Sequence, residues 1–359
     1  MWSHFNPVKI FADVSLFEVL PEYLPANGAL LLVTTPGFTR RGLTKLLVDK
    51  IDSDRMLVCD NVTPNPDLTD LESLINEYRP LNIKTIIAVG GGSALDTAKV
   101  LSVAIPSSYK NPLTETLKDG KSQLWNESLP VICVPTTSGT GAEVTPFATV
   151  WDKKSGRKHS VYGESVFPRY ALLDPSLTAT LDEDNRLYPG LDCISHSLES
   201  LWNKNRTAAS IANALFSLEL ALKSLPETMK NPGDLDARRN LQHASLLAGL
   251  AISQTKTAIA HSISYPLTLY YNIPHGLAAS FTLKAILRSI KTDIFVSEGR
   301  IEEILQLLSK YDLPKRILQY LSFDDAEKCL PEMFLTERGN NFLDIPTTEM
   351  VRAILLNSF

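Results

Sequence analysis

The sequence predicts an α/β domain with a doubly wound sheet, followed by an all-helical domain. Three observations carry this. In the first half, continuous apolar runs of strand length alternate with segments whose apolar residues recur at helical spacing. After about Asp174 the texture changes to leucines and alanines at i, i+3, i+4, with few strand signals between them. The length, 359 residues, is near twice that of a common domain. Asp174-Pro175-Ser176 supplies turn and cap chemistry, so the boundary is expected within Asp174–Thr180. We assign residues 1–177 to the α/β domain and 178–359 to the helical one.

In chain order, Ala29–Thr34 reads as the first parallel strand, because an unbroken apolar run suits a strand buried on both faces. Gly42–Ile51 and Asp67–Tyr78 carry helical periodicity. Thr85–Val89 is the second such strand, followed by a helix-like stretch at Asp96–Ala104, and Leu129–Val134 is the third. In the second half, Arg206–Leu225, Asp236–Ser253, Leu246–His261 and Ile301–Tyr311 read as helices.

With 35 basic and 40 acidic residues the chain has no basic field to attract nucleic acid. Its four cysteines (Cys59, Cys133, Cys193, Cys329) show no close pairing, which favours buried thiols in a reducing compartment. The opening residues, Met1 to Pro7, lack the charged start and apolar run of a secretory signal. No apolar stretch is expected to reach the roughly 18 residues of a membrane helix. A cytoplasmic protein with no membrane or nucleic-acid partner is expected.

Two polar loops follow predicted strands. Gly90-Gly91-Gly92-Ser93 lets backbone N–H groups approach a phosphate at a helix start; alone, it is as readily a tight turn that binds nothing. Pro135–Glu143 brings four hydroxyls and two glycines after the next strand. Ligands of open α/β sheets bind beyond the carboxyl ends of strands, so the pair of loops favours a nucleotide.

In the second half, Asp192 and His196 stand four apart on one expected helix face, His261 closes a helical pattern, and His275 follows in Ile273-Pro274-His275-Gly276. A single histidine is more often a core or surface residue than a ligand. Three imidazoles and a carboxylate together would suit Zn²⁺ or Fe²⁺.

Read together, Gly90–Ser93 with Asp96, Pro135–Glu143, Leu173-Asp174-Pro175, Gly190-Leu191-Asp192 with His196, and Ile273–Gly276 resemble the iron-containing (group III) alcohol dehydrogenase family in order and spacing. The resemblance implies a Rossmann-like N-terminal domain and a helical C-terminal domain, the dehydroquinate synthase-like architecture. It implies metal ligation by Asp192, His196, His261 and His275, with Fe²⁺ expected and Zn²⁺ acceptable. It implies a dinucleotide site at Gly91, Gly92, Ser93, Asp96, Thr136, Thr137, Thr140 and Lys158. The implied activity is reduction of small aldehydes with NAD(P)H, and a homodimer is compatible with it.

Three departures from the family pattern bear on function. Where many members carry a further histidine four residues after the last helix-borne ligand, this chain has Tyr265, a proton donor but a poor base, or a packing residue against the cofactor. Where NAD-preferring members often place a carboxylate after the first strand, it has Thr35, with Arg40 and Arg41 nearby, so NADP is expected to be accepted beside NAD. Thr255–His261 and Ser264–Thr268, with the opening Met1-Trp2 and Phe5-Asn6-Pro7, resemble the phosphonoacetaldehyde reductase branch. Lys256 and Thr257, read as lying on the helix that leads to His261, would suit an anionic aldehyde; the plainer reading is a solvated lysine. The competing functions are a general short-chain alcohol dehydrogenase, a dehydroquinate synthase-like lyase, a maleylacetate reductase and a non-catalytic nucleotide binder. Net oxidation of NAD(P)H separates the reductases from the lyase and the binder.

Overall fold

The computed structural model describes residues 2–122, 125–290, 292–333 and 339–359; Met1, part of the opening stretch read above, lies outside them. Contacts divide the chain into two units. One comprises Asn6–Thr137 and Ala142–Thr178, and the other Ala179–Phe359 with Ser138–Gly141 and a short N-terminal stretch.

The first unit is built on a six-stranded sheet: β1 (Lys9–Ala12), β2 (Ala29–Val33), β3 (Met56–Cys59), β4 (Ile83–Gly90), β5 (Val131–Pro135) and β8 (Tyr170–Leu173). Their order is β1-β8-β5-β4-β2-β3, and every pairing is parallel. The helices are α1 (Leu16–Val19), α2 (Pro36–Arg40), α3 (Leu43–Ile51), α4 (Leu68–Tyr78) and α5 (Gly92–Ala104). Side chains alternate between two cores. Leu31, Val33, Ile86 and Ala88 join one, while Leu30, Leu32, Ile87 and Val89 join the other. That is why β2 and β4 read as continuous apolar runs: both faces are covered. A separate antiparallel hairpin, β6 (Phe147–Asp152) with β7 (Arg157–Tyr162), was not anticipated.

From β2 the chain moves to β3 on one side and returns to β4 on the other. The strand order therefore reverses between β2 and β4, the switch point at whose carboxyl ends open α/β sheets bind ligands.

Within the described residues the second unit is helical. Its central elements are α6 (Glu183–Leu201), α7 (Ala208–Lys230), α8 (Leu235–Thr255), α9 (Ile259–Tyr271), α10 (His275–Ser280), α11 (Leu283–Ser289) and α12 (Glu298–Lys310), with further helices after them. α6 begins at Asp182, whose carboxylate accepts the Asn185 amide (2.8 Å), and α8 begins at Asp234 in the same way. α7 is by length and composition alone apolar enough to cross a membrane, which corrects the expectation that no stretch would be. Here its Ala214, Leu218, Ala221, Leu222 and Leu225 are packed into the core of this unit. All four cysteines are free and buried.

The pattern read as one helix from Leu246 to His261 is two. α8 stops at Thr255, Lys256 takes a left-handed backbone (φ 60), and α9 starts at Ile259. His261 therefore stands in the first turn of a new helix rather than at the end of an old one. Lys256 and Thr257 do not share its helical face, because the break resets the phase.

Candidate metal centre and nucleotide crevice

In the first unit, the ends of β2, β4 and β5 bring the predicted loops together. Thr35 caps α2, its hydroxyl accepting the Phe38 amide (3.4 Å). Its methyl group lies 3.8 Å from where a Cβ on Gly90 would stand. Thr34 Oγ1 donates to the Val89 carbonyl (2.7 Å), locking β2 to β4 at the switch point. The Thr136 amide donates to the Gly90 carbonyl (2.9 Å), and Ser93 Oγ accepts the Asn65 amide (3.4 Å). Gly91 is the N-cap of α5 and Gly92 its first residue, with no side-chain hydrogen bond capping the helix, and the Thr137 side chain lies beside Gly91. Backbone N–H groups at such a position suit a phosphate.

Other predicted residues have these surroundings. Asp96 uses Oδ2 to accept the Thr149 amide (2.9 Å), pinning α5 to β6. Lys158 lies on β7, its ammonium 5.1 Å from the centre of the Trp151 ring. Thr140, read with the nucleotide loop, belongs by its contacts to the helical unit, whereas Thr137 stays with the first. Arg40 and Arg41 are exposed, and an Arg40 Nη atom folds back to 3.9 Å from where a Cβ on Gly37 would stand.

In the helical unit, Asp192 and His196 lie one turn apart on α6. His261 comes from α9 and His275 opens α10. Gly276 makes the last placement workable: a Cβ there would stand 2.0 Å from the Tyr188 carbonyl of α6, so only glycine lets α10 dock so closely. Asp192 Oδ1 is the hub, 3.3 Å from His261 Nε2, 3.7 Å from His196 Nε2 and 3.8 Å from His275 Nε2. The His196 and His261 rings stack at 4.7 Å.

Two of the imidazoles have their tautomer set by what they face. His261 Nδ1 is 2.5 Å from Glu199 Oε2, and His196 Nδ1 is 3.2 Å from the Gly139 carbonyl. Both partners only accept, so each Nδ1 is a donor, and with a metal bound each Nε2 would be left to turn its lone pair inward. Glu199 was missed in the sequence. Its signal was a carboxylate seven residues after Asp192, two turns along the same helix face.

Burial would push the Asp192 carboxyl up, yet the facing imidazoles outweigh it and hold it below the usual carboxylate range. Burial would likewise lower His261, but Glu199 and Asp192 hold it up at about 9. His196 is lowered, chiefly by burial.

These residues fit a metal ion. Asp192 Oδ1 and His261 Nε2 are buried with no hydrogen-bond partner, an arrangement that costs free energy unless something else binds them. Asp192, His261 and His275 offer donor atoms within 4.8 Å of one another. Tetrahedral bonds of about 2.1 Å imply donor separations of about 3.4 Å, close to the observed spacing. Tyr265 stands one turn beyond His261 on α9 and is half-buried, while Lys256 is exposed at the turn between α8 and α9. The Lys256 carbonyl accepts from Asn203 Nδ2 (3.1 Å) and Thr255 Oγ1 (2.9 Å), which holds the strained backbone.

Comparison with known proteins identifies the family. Residues 7–175 match the family model described as iron-containing alcohol dehydrogenase, and residues 186–317 match its C-terminal counterpart. The chain belongs to the iron-containing alcohol dehydrogenase family. Among its relatives is a phosphonoacetaldehyde reductase of Streptomyces viridochromogenes, 33% identical over 71% of this chain and 65% of that one. Another is a sulfoacetaldehyde reductase of Bilophila wadsworthia, 32% identical over 70% of this chain and 64% of that one. The matched stretches thus span just under two thirds of both. A choline dehydrogenase of Bacillus subtilis is 30% identical over 75% of this chain and 68% of its own. Among solved structures, a sulfoacetaldehyde reductase of Bifidobacterium kashiwanohense in complex with NAD+ superposes with a TM-score of 0.88 at 25% identity, covering 99% of this chain and 98% of that one. An iron-containing alcohol dehydrogenase of Thermotoga maritima gives 0.84 at 26%, covering 100% and 99%.

Proposed function

We propose that this iron-containing alcohol dehydrogenase family member reduces short aldehydes that carry an anionic group, with phosphonoacetaldehyde to 2-hydroxyethylphosphonate as the reaction, and uses NADPH as well as NADH. The observation that carries the reductase reading is the cluster of three imidazoles around one buried, otherwise unpartnered carboxylate oxygen.

Bound at these sites, a divalent metal, Fe²⁺ by family and Zn²⁺ by donor chemistry, supplies Lewis-acid polarisation of a carbonyl, and reduced nicotinamide supplies hydride. The chain's own part is to hold and orient. Asp192, His196, His261 and His275 would hold the metal, with Nδ1 of His196 and His261 donating outward so that each Nε2 would face the ion. Thr35, Gly91, Gly92, Ser93, Thr136 and Thr137 gather at the switch-point crevice, where backbone N–H groups and hydroxyls suit pyrophosphate and ribose. No carboxylate stands at position 35 to repel a 2′-phosphate, and Arg40 folds toward the first turn of α2. Tyr265 offers a hydroxyl that can donate the proton the product alcohol needs.

The anionic substrate class would use Lys256, an exposed cation at the turn that precedes the His261 helix. A non-glycine residue kept at φ 60 by two hydrogen bonds to its carbonyl is a backbone conformation that costs about 1–3 kcal/mol, and such strain clusters at functional positions. The names of the phosphonoacetaldehyde and sulfoacetaldehyde reductase relatives point the same way. The test compares kcat/KM for phosphonoacetaldehyde with that for an uncharged aldehyde of equal length. A preference of at least about tenfold for the phosphonate is expected; equal efficiencies would remove the substrate class and leave the reductase.

A further inference from the structure

We propose that Glu199 is the positioning residue of the metal centre, a role that rests on the ligand assignment above. It couples the tautomer of His261 to the start of the helix that carries it. Glu199 is fully buried in α6, two turns beyond Asp192. Its two oxygens perform different tasks on one residue. Oε2 accepts Nδ1–H of His261 at 2.5 Å, and Oε1 accepts the His261 backbone N–H at 3.1 Å.

The backbone contact matters because α9 has no cap of its own. Its N-cap is Ala258, which has no side-chain acceptor, and a helix leaves its first four N–H groups unpaired. His261 is the third residue of α9, so its amide is one of those orphans. Glu199 thus caps α9 from a neighbouring helix and grips the ring of the same residue. The break at Lys256 makes this necessary: once α8 stops, nothing in the backbone continuity fixes where α9 begins or how its first turn is rotated. Asp192, His196 and Glu199 occupy positions i, i+4 and i+7 of α6. One helix face therefore presents two donors directly and aims a third.

A carboxylate behind a ligating imidazole fixes the ring and raises its basicity, and loss of such a partner typically costs 10–100-fold in metal affinity. In Glu199→Gln one oxygen becomes an NH₂ group, which faces either the Nδ1–H or the amide N–H as donor against donor.

The test measures Zn²⁺ affinity of the full chain by competition with a colorimetric chelator, for wild type, Glu199→Gln and His261→Ala. The expected result is one metal per chain, bound about 10–100-fold more weakly in Glu199→Gln, and no measurable site in His261→Ala. Wild-type affinity in Glu199→Gln alongside loss in His261→Ala would overturn the positioning role and leave the ligand assignment standing. Undiminished binding in His261→Ala would overturn the ligand assignment itself. A second readout needs no variant at position 199. In Zn²⁺-loaded wild type with ¹⁵N-histidine, long-range ¹H–¹⁵N spectra should show His261 protonated at Nδ1 and metal-shifted at Nε2, and the reverse pattern would overturn the proposal.

Discussion

His261 Nε2 lies 3.3 Å from Asp192 Oδ1, and both atoms are buried with no hydrogen-bond partner. The two attract each other as charges at this distance, yet neither makes a hydrogen bond, and a bound ion would give both a direct partner. The pair therefore anchors the functional reading. His261→Ala should abolish metal loading and reductase activity together, with metal content by elemental analysis below about a hundredth of wild type. Full metal content in that variant would show that the imidazole is not a ligand.

The strained turn between α8 and α9 gives a prediction about stability and selectivity at once. Lys256→Gly should raise the unfolding free energy by about 1 kcal/mol, since glycine adopts positive φ without strain. It should also erase the preference for the phosphonate over the uncharged aldehyde. Lys256→Met should lose the same preference without the gain in stability. Denaturant titration and paired kcat/KM values check both variants, and an unchanged preference in both would detach Lys256 from substrate choice.

For the cofactor, Arg40→Ala should raise KM for NADPH by about tenfold and leave KM for NADH within about twofold, as expected when a charge-assisted contact to a 2′-phosphate is removed. Equal changes for both cofactors would place Arg40 outside the 2′-phosphate site.

Glu143 supplies a pH test. It is buried at the end of the loop after β5, and burial raises its carboxyl from 4.5 to about 7, with backbone hydrogen bonding and Lys99 only partly offsetting it. A folded-state value above the unfolded one means the folded form holds the proton more tightly. That contribution is full below about 4.5 and is lost as pH rises toward about 7, a span worth roughly 3 kcal/mol. Glu143→Gln should flatten the pH dependence of unfolding free energy across this window, measured by denaturant titration at steps from pH 5 to pH 8. An unaltered slope would mean that Glu143 ionises freely in the folded protein.

Much of this architecture was legible in the residues because burial writes itself into composition. β2, β4 and β5 read as unbroken apolar runs since both their faces are covered. β1 and β3 did not stand out, being four residues each with mixed exposure. The break at Lys256 was hidden because apolar residues continue through Ile252 and Ile259 as if one helix ran on, and a lysine gives no hint of positive φ. In the helical unit the four candidate donors that the fold brings around Asp192 Oδ1 were legible by spacing and family pattern. Glu199 was not, since a carboxylate seven residues on looks like any helix-surface charge until the fold shows it buried behind His261.

The most direct test of the central claim is the loss of nicotinamide absorbance from NADPH and NADH on addition of phosphonoacetaldehyde, with Fe²⁺-loaded and chelator-stripped protein compared side by side. Turnover that requires the metal and disappears in His261→Ala is the expected result. Turnover that persists undiminished after stripping, or no net oxidation of either cofactor by the loaded protein, would contradict the assignment of a metal-dependent reductase.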